Sequence, residues 1–273
     1  MKIVSHNGAM SLTPLIDTHV HLDFPELSTD LGAVIQRARD AGVVQMITIG
    51  IDEETSRKAL HIAHAHSGVF SAVGLHPHGA RSLDADSMRR FQDLARDPKV
   101  VAVGEIGLDY YRDRQPRETQ RRCFRQQLEW AVEIGKPVVF HVRDAHVDFL
   151  EIVRDYAASL DGGILHCFSG DWTIARRCLD LGFMLSIPGT ITFPKSEAQR
   201  EVVRKAPAER ILVETDAPFL APVPFRGKVN EPSYVVHTAR KVAELRGMAP
   251  EELALQTTAN ARRVFGLPSE EIL

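Results

Sequence analysis

The sequence predicts an α/β fold, a single (β/α)8 barrel over residues 15–273, on three observations. Eight short, mostly apolar runs recur, each followed by a stretch with helical periodicity. Parallel strands buried beneath helices read this way. Neither glycine-rich nucleotide signature, G-x-G-x-x-G after a strand or G-x-x-x-x-G-K-[ST], occurs, which weakens the open doubly wound sheets. Ligand-type side chains also gather where the apolar runs end, the end at which barrels carry their sites.

The elements follow in order. The first strand is expected over 16–22, with a helix over 31–41 that Gly42 stops. The second strand, 45–51, leads into a helix over 53–66, and the third, 69–75, into the loop His76-Pro77-His78-Gly79. A helix over 84–96 precedes the fourth strand, 100–106, and a loop over 107–116 precedes a long amphipathic helix, 117–134. The fifth strand, 137–142, opens on a proline, where no ladder bond is lost. Helices over 147–159 and 173–181 flank the sixth strand, 162–167. The seventh strand, 183–187, a helix over 196–205 and the eighth strand, 211–214, complete the barrel. A proline-rich irregular loop, 217–232, and two helices, 234–246 and 250–265, end the chain. Residues 1–14 read as an N-terminal extension.

Composition narrows the class. With 273 residues, 44% hydrophobic and 25% charged, the chain can bury a core without staples. A net charge of -3 advertises no global basic field, though a local patch or a metal can still hold a phosphate. Three cysteines with no close pair argue for a reducing, cytoplasmic setting. No signal-peptide core and no membrane-length apolar run appear, so no membrane association is expected. No obligate protein partner is inferred.

The chemistry sits at the strand ends. His19 and His21 are two apart in the first strand, so they face the same way. His76 ends the third strand, Glu105 the fourth, His141 the fifth, His166 the sixth, and Asp216 follows the eighth. Singly, each has an ordinary reading: a hydrogen-bonded histidine, a turn aspartate before Pro218, a carboxylate paired with arginine. Structural histidines have no reason to collect at the same end of strands one, five and six. Imidazole and carboxylate donors together suit zinc, manganese or cobalt more than magnesium alone. The set is too large for one tetrahedral ion and points to two divalent ions roughly 3.5–4 Å apart. Glu105 is the best bridge, because each oxygen can bind one ion. Cys167, next to His166, reads as a packing residue.

Six motifs carry a resemblance: Asp17-Thr18-His19-Val20-His21-Leu22, Gly74-Leu75-His76-Pro77-His78, Gly104-Glu105-Ile106-Gly107-Leu108-Asp109, Phe140-His141-Val142-Arg143, Leu165-His166-Cys167-Phe168-Ser169-Gly170 and Glu214-Thr215-Asp216-Ala217-Pro218-Phe219-Leu220. The stretch from Arg226 to Pro232 is a seventh. The chain resembles the TatD family of metal-dependent hydrolases, related to the amidohydrolases, over nearly its whole length. The resemblance implies a TIM barrel with two divalent ions (Mg2+, Mn2+ or Zn2+). It implies His19, His21, Glu105 and Asp216 around one ion and Glu105, His141 and His166 around the other. It also implies deoxyribonuclease activity, commonly from the 3′ end of single strands. On that reading Asp216 is the general base acting on a metal-activated water. His76, His78 and Arg143 are the candidate substrate contacts, and DNA or another nucleic acid is the substrate. The loop Tyr110–Arg117 mixes aromatics with arginines, which can stack bases, but arginines opening a solvated helix are common. The competing activity is hydrolysis of another ester or amide, such as an aminoacyl-RNA or an amidohydrolase substrate, on the same metals.

Overall fold

Eight strands pair in parallel, each with the next in chain order: β1 (Leu15–Val20), β2 (Val43–Ile49), β3 (Val69–Val73), β4 (Val100–Asp109), β5 (Val138–Arg143), β6 (Gly163–Leu165), β7 (Met184–Ile187) and β8 (Ile211–Val213). This computed structural model describes residues 13–273; the expected extension over 1–14 lies, apart from Thr13 and Pro14, outside the described residues. The helices are α1 (Pro25–Ser28), α2 (Leu31–Asp40), α3 (Glu53–Ala65), α4 (Ala85–Ala95), α5 (Arg117–Ile134), α6 (His146–Val153), α7 (Trp172–Asp180), α8 (Glu197–Lys205), α9 (Val235–Arg246) and α10 (Pro250–Phe265).

The seam between β8 and β1 is joined by a bridge between Val20 and Ala217 and by two backbone bonds. His21 N–H donates to Ala217 O at 2.8 Å, and Asp216 N–H donates to His19 O at 2.9 Å. The barrel is thus joined through the backbone of the residues expected to line its site.

Two apolar layers follow from strand alternation. Ile16, Ile47, Phe70, Ala102, Val139, Ile164, Met184 and Leu212 fill the barrel interior, and Phe265 and Leu267 pack against them. The alternate positions face the helices. There Phe124, Phe140, Phe149 and Phe183 interlock with ring centroids 5.1–6.0 Å apart. Each such buried ring contributes about 1.5–3 kcal/mol.

Two strands break this alternation. In β1, Ile16 points inward but Val20 and Leu22 pack outward, and the register shifts between Asp17 and Val20. In β4, Ala102 is inward, yet Val103, Ile106 and Leu108 are all outward, and the register shifts between Val103 and Ile106. Such irregularities re-aim side chains next to active sites. Here they turn His19, His21, Glu105 and Asp109 into the barrel mouth. Glycine makes the second one sterically possible. A Cβ on Gly104, at φ +151, would lie 2.7 Å from Val139 O, and one on Gly107 would strike His141 O.

Some boundaries differ from expectation. β4 continues to Asp109, because Leu108 and Asp109 keep pairing with β5. β6 stops at Leu165, and Cys167 adopts φ +45 in the turn that follows. α6 ends at Val153, after which the chain passes into turns.

Candidate metal centre

Glu105 is 3% exposed and stands at the centre of an imidazole ring of neighbours. Its Oε2 lies 3.6 Å from His19 Nε2. Its Oε1 lies 2.6 Å from His141 Nδ1, 3.2 Å from His166 Nε2 and 3.6 Å from His76 Nε2. Burial opposes its charge, but His166, His76 and His141 outweigh that and hold its pKa well below the ordinary value. Asp216 Oδ1 lies 3.5 Å from His21 Nε2 and 3.7 Å from His19 Nε2. Burial works against this carboxylate too, yet His21, His166 and His19 keep its pKa lowered, so it is ionised at neutral pH.

Three groups could hold a metal ion, their donor atoms mutually within 4.8 Å: His19, His21 and Asp216; His76, Glu105 and His141; His19, His166 and Glu214. All six expected ligands converge, and His76 joins them. His78 does not reach Glu105; its Nε2 is 3.1 Å from Asp109 Oδ2. Arg143, at the exposed end of β5, places its guanidinium 4.0 Å from the Tyr111 ring centroid.

The far nitrogen of each ring shows what the near one can do. His21 Nδ1 donates to Ile49 O at 3.2 Å, which makes Nε2 the ligand atom. Burial alone would lower this ring's pKa, but Asp216 and Glu105 outweigh it and raise it, so a proton on Nε2 faces Asp216 where a cation would otherwise sit. His141 Nε2 lies 3.1 Å from Asp109 Oδ2, and His166 Nδ1 lies 3.2 Å from Glu214 Oε1. A carboxylate hydrogen-bonded behind an imidazole, as Asp109 is behind His141, fixes its tautomer and raises its basicity as a ligand; His166 Nδ1 is near Glu214 but without a hydrogen bond to it. Both ring nitrogens of His19 are buried with no hydrogen-bond partner, as suits a group awaiting a cation. His76 differs: its Nδ1 accepts the His78 N–H at 3.1 Å, so in the neutral ring the proton sits on Nε2. Burial pushes the His76 pKa well down, and His141 adds to the effect, which keeps the ring neutral. A neutral Nε2–H is a donor rather than a lone-pair ligand.

Several contributors escaped the sequence reading. Asp109 and Glu214 back the rings; both stand in quoted motifs, Asp109 an even four residues beyond Glu105 on one strand. Asp109 is held far below the ordinary carboxylate range because the bonds from His141, His78 and the Arg112 N–H outweigh its burial. Asp17 is fully buried and accepts from the His19 backbone N–H at 3.3 Å, from Thr215 N–H at 2.9 Å and from the Thr215 hydroxyl at 2.5 Å; burial pushes its pKa up to about 8 despite these bonds. Gln120 and Gln127, seven apart on α5, clamp backbone. Gln127 accepts from Leu75 N–H at 2.8 Å and donates to Leu75 O at 3.0 Å, just before His76. Gln120 makes the same pair of bonds with Asp109, at 2.9 and 3.1 Å. Cys167 is a correction: it does not pack in the core but sits half-buried at the mouth, its N–H on Glu214 Oε1 at 2.7 Å. Burial, with Asp216, Glu214 and Glu105 nearby, raises its thiol pKa well above normal.

A family model of TatD-related DNases matches residues 16–266. The chain belongs to the TatD family. Among its TatD relatives, the Bacillus subtilis protein named uncharacterized metal-dependent hydrolase YabD is 41% identical, with 92% of this chain and 98% of the relative covered. The Klebsiella pneumoniae protein named 3′-5′ ssDNA/RNA exonuclease TatD is 38% identical, covering 93% of this chain and 98% of its own. The crystal structure of YjjV, a TatD homologue from Escherichia coli, superimposes with a TM-score of 0.88 at 34% identity, over 93% of this chain and 98% of that one. Like them, this is a metal-dependent hydrolase of the TatD family on a TIM barrel. No helix among the described residues is long and apolar enough to cross a membrane.

Proposed function

We propose that this chain is a 3′-5′ exonuclease on single-stranded DNA or RNA, with two divalent ions at the barrel mouth. The observation that carries the reading is the split environment of Glu105: one oxygen faces His19, the other faces His141 and His166. His19, His21, Glu105 and Asp216 would hold one ion, and Glu105, His141 and His166 the other. The nitrogen-rich donor set fits zinc or manganese better than magnesium. When bound, the ions supply a water activated near neutral pH and offset charge growing on the phosphoryl oxygens. Asp216, ionised and at the rim, accepts the water's proton at Oδ and passes it to the leaving oxygen. His76 donates its Nε2–H to a phosphoryl oxygen, with Arg143 at the end of β5 and His78 in the turn after β3 as further contacts to the phosphate. The relatives named as exonucleases at 38% identity support phosphodiester chemistry over carbonyl hydrolysis. The free thiols of Cys123, Cys167 and Cys178 suit a reducing, cytoplasmic setting, and the exonuclease reading implies a role in DNA catabolism there.

The test is purified protein with Mg2+, Mn2+ or Zn2+ and single-stranded DNA labelled at its 5′ end. A descending ladder of labelled products is the expected result. Turnover of an ester or amide with intact DNA would transfer the site to carbonyl hydrolysis. Asp216→Asn replaces a charged ligand by a neutral one and should weaken the metal; measured at saturating metal, its activity should still fall by about 10²- to 10⁴-fold, the usual worth of a general base.

A further inference from the structure

Resting on the exonuclease reading, we propose that Phe219, backed by Phe24, is the platform on which a base flanking the scissile phosphate stacks. Phe219 follows β8 three residues after Asp216 and is 46% exposed. Its ring meets Phe24 edge to face at 5.5 Å and stands 6.1 Å from the His21 ring. An exposed phenylalanine on a loose loop would mean little. This loop is tied down. Asn230 is fully buried; its Nδ2 donates to Thr215 O at 2.9 Å and to Phe219 O at 2.6 Å, and its N–H donates to Pro218 O at 3.0 Å. Phe219 N–H is itself on Asp216 O at 2.9 Å. The fold therefore spends a buried asparagine on holding an apolar ring at the edge of a charged site. That is the arrangement a planar, apolar-faced group beside a phosphate requires.

The opposite rim strengthens the case. Among the exposed large hydrophobic residues described, the aromatic ones are Tyr111 and Phe219. Tyr111 follows β4 and Phe219 follows β8, four strands apart, so they face each other across the donors of the candidate metal centre. Tyr111 already has the Arg143 guanidinium over its ring, which suits it to the backbone side. A single strand laid across the mouth puts its phosphate over Glu105 and Asp216 and one adjacent base at Phe219. With no side-chain hydrogen bonds offered, such a platform reads no base identity and favours purines through stacking area alone.

The experiment compares single-stranded oligonucleotides that carry a normal base or an abasic tetrahydrofuran unit at the 3′-terminal or the penultimate position. In the wild type, kcat/KM should favour the base-bearing oligonucleotide at one of these positions by about 5- to 150-fold, the worth of one stacked base. Phe219→Ala should bring that ratio near unity, and Phe219→Trp should keep it. Melting temperatures of both variants near that of the wild type exclude misfolding. A wild type with no preference at either position, or an Ala variant that keeps it, overturns the stacking assignment and leaves the nuclease reading standing. A wild type that cleaves no oligonucleotide with any of the three metals overturns the nuclease reading and the platform with it.

Discussion

Asp109→Asn isolates the role of a carboxylate that is not itself an expected metal ligand. Its Oδ2 lies 3.1 Å from both His141 Nε2 and His78 Nε2, while its Oδ1 accepts the Arg112 N–H at 2.7 Å. Asparagine keeps the shape but has one acceptor. If its oxygen replaces Oδ2, an amide N–H faces the Arg112 N–H; if it replaces Oδ1, the amide faces two imidazole N–H groups. In the first case the His141 bond survives without its assisting charge; in the second it is lost and the His141 tautomer with it. Removing a carboxylate behind a ligating histidine costs about 10- to 100-fold in metal affinity, or about 1.4–2.7 kcal/mol. Isothermal titration of the chelator-stripped protein with Zn2+ or Mn2+ reads the affinity, and urea unfolding of the stripped protein checks the fold. Affinity should fall by that factor with the urea midpoint little changed. An Asn variant that binds metal as tightly as the wild type would falsify the view that Asp109 orients His141.

Phe140→Ala removes a fully buried ring from the cluster with Phe124, Phe149 and Phe183 and should cost about 3–5 kcal/mol in urea unfolding. Gln127→Met should leave the Leu75 N–H and carbonyl unpaired at about 1–3 kcal/mol each, and should raise KM more than it lowers kcat by freeing His76. Asp97 resists acid: burial opposes its charge, but the Lys99 N–H and His64 outweigh this and lower its pKa from 3.8. Its contribution is present above the unfolded value and lost as pH falls through the folded one, so the urea midpoints of wild type and Asp97→Asn should differ at pH 7 and converge below about pH 4.

How much of this was legible follows from the pleat. Counting by twos from an interior residue is enough for His141, which follows Val139, and for His166, which follows Ile164. The same count from Phe70 through Ala72 reaches His76, and from Leu212 it reaches Glu214 and Asp216. For these the apolar pattern and the site are one signal, and the sequence carries it. The same count fails for His19 and Glu105. From Ile16 and from Ala102 it sends both toward the helices, where a buried imidazole and a carboxylate would have no partners. What rescues them is a register shift in β1 and another in β4, and a shift of one residue leaves no trace in hydrophobic periodicity. In β4 the trace is the pair Gly104 and Gly107, whose reason lies in how closely β5 approaches. In β1 no glycine marks it, and the compensating bonds come from the far end of the chain: Asp216 N–H on His19 O and His21 N–H on Ala217 O. Aiming His19 inward and joining β8 to β1 are therefore one event. A perfectly pleated β1 would present His19 to the helix layer and leave the mouth without its first imidazole, whatever the spacing of the remaining ligands.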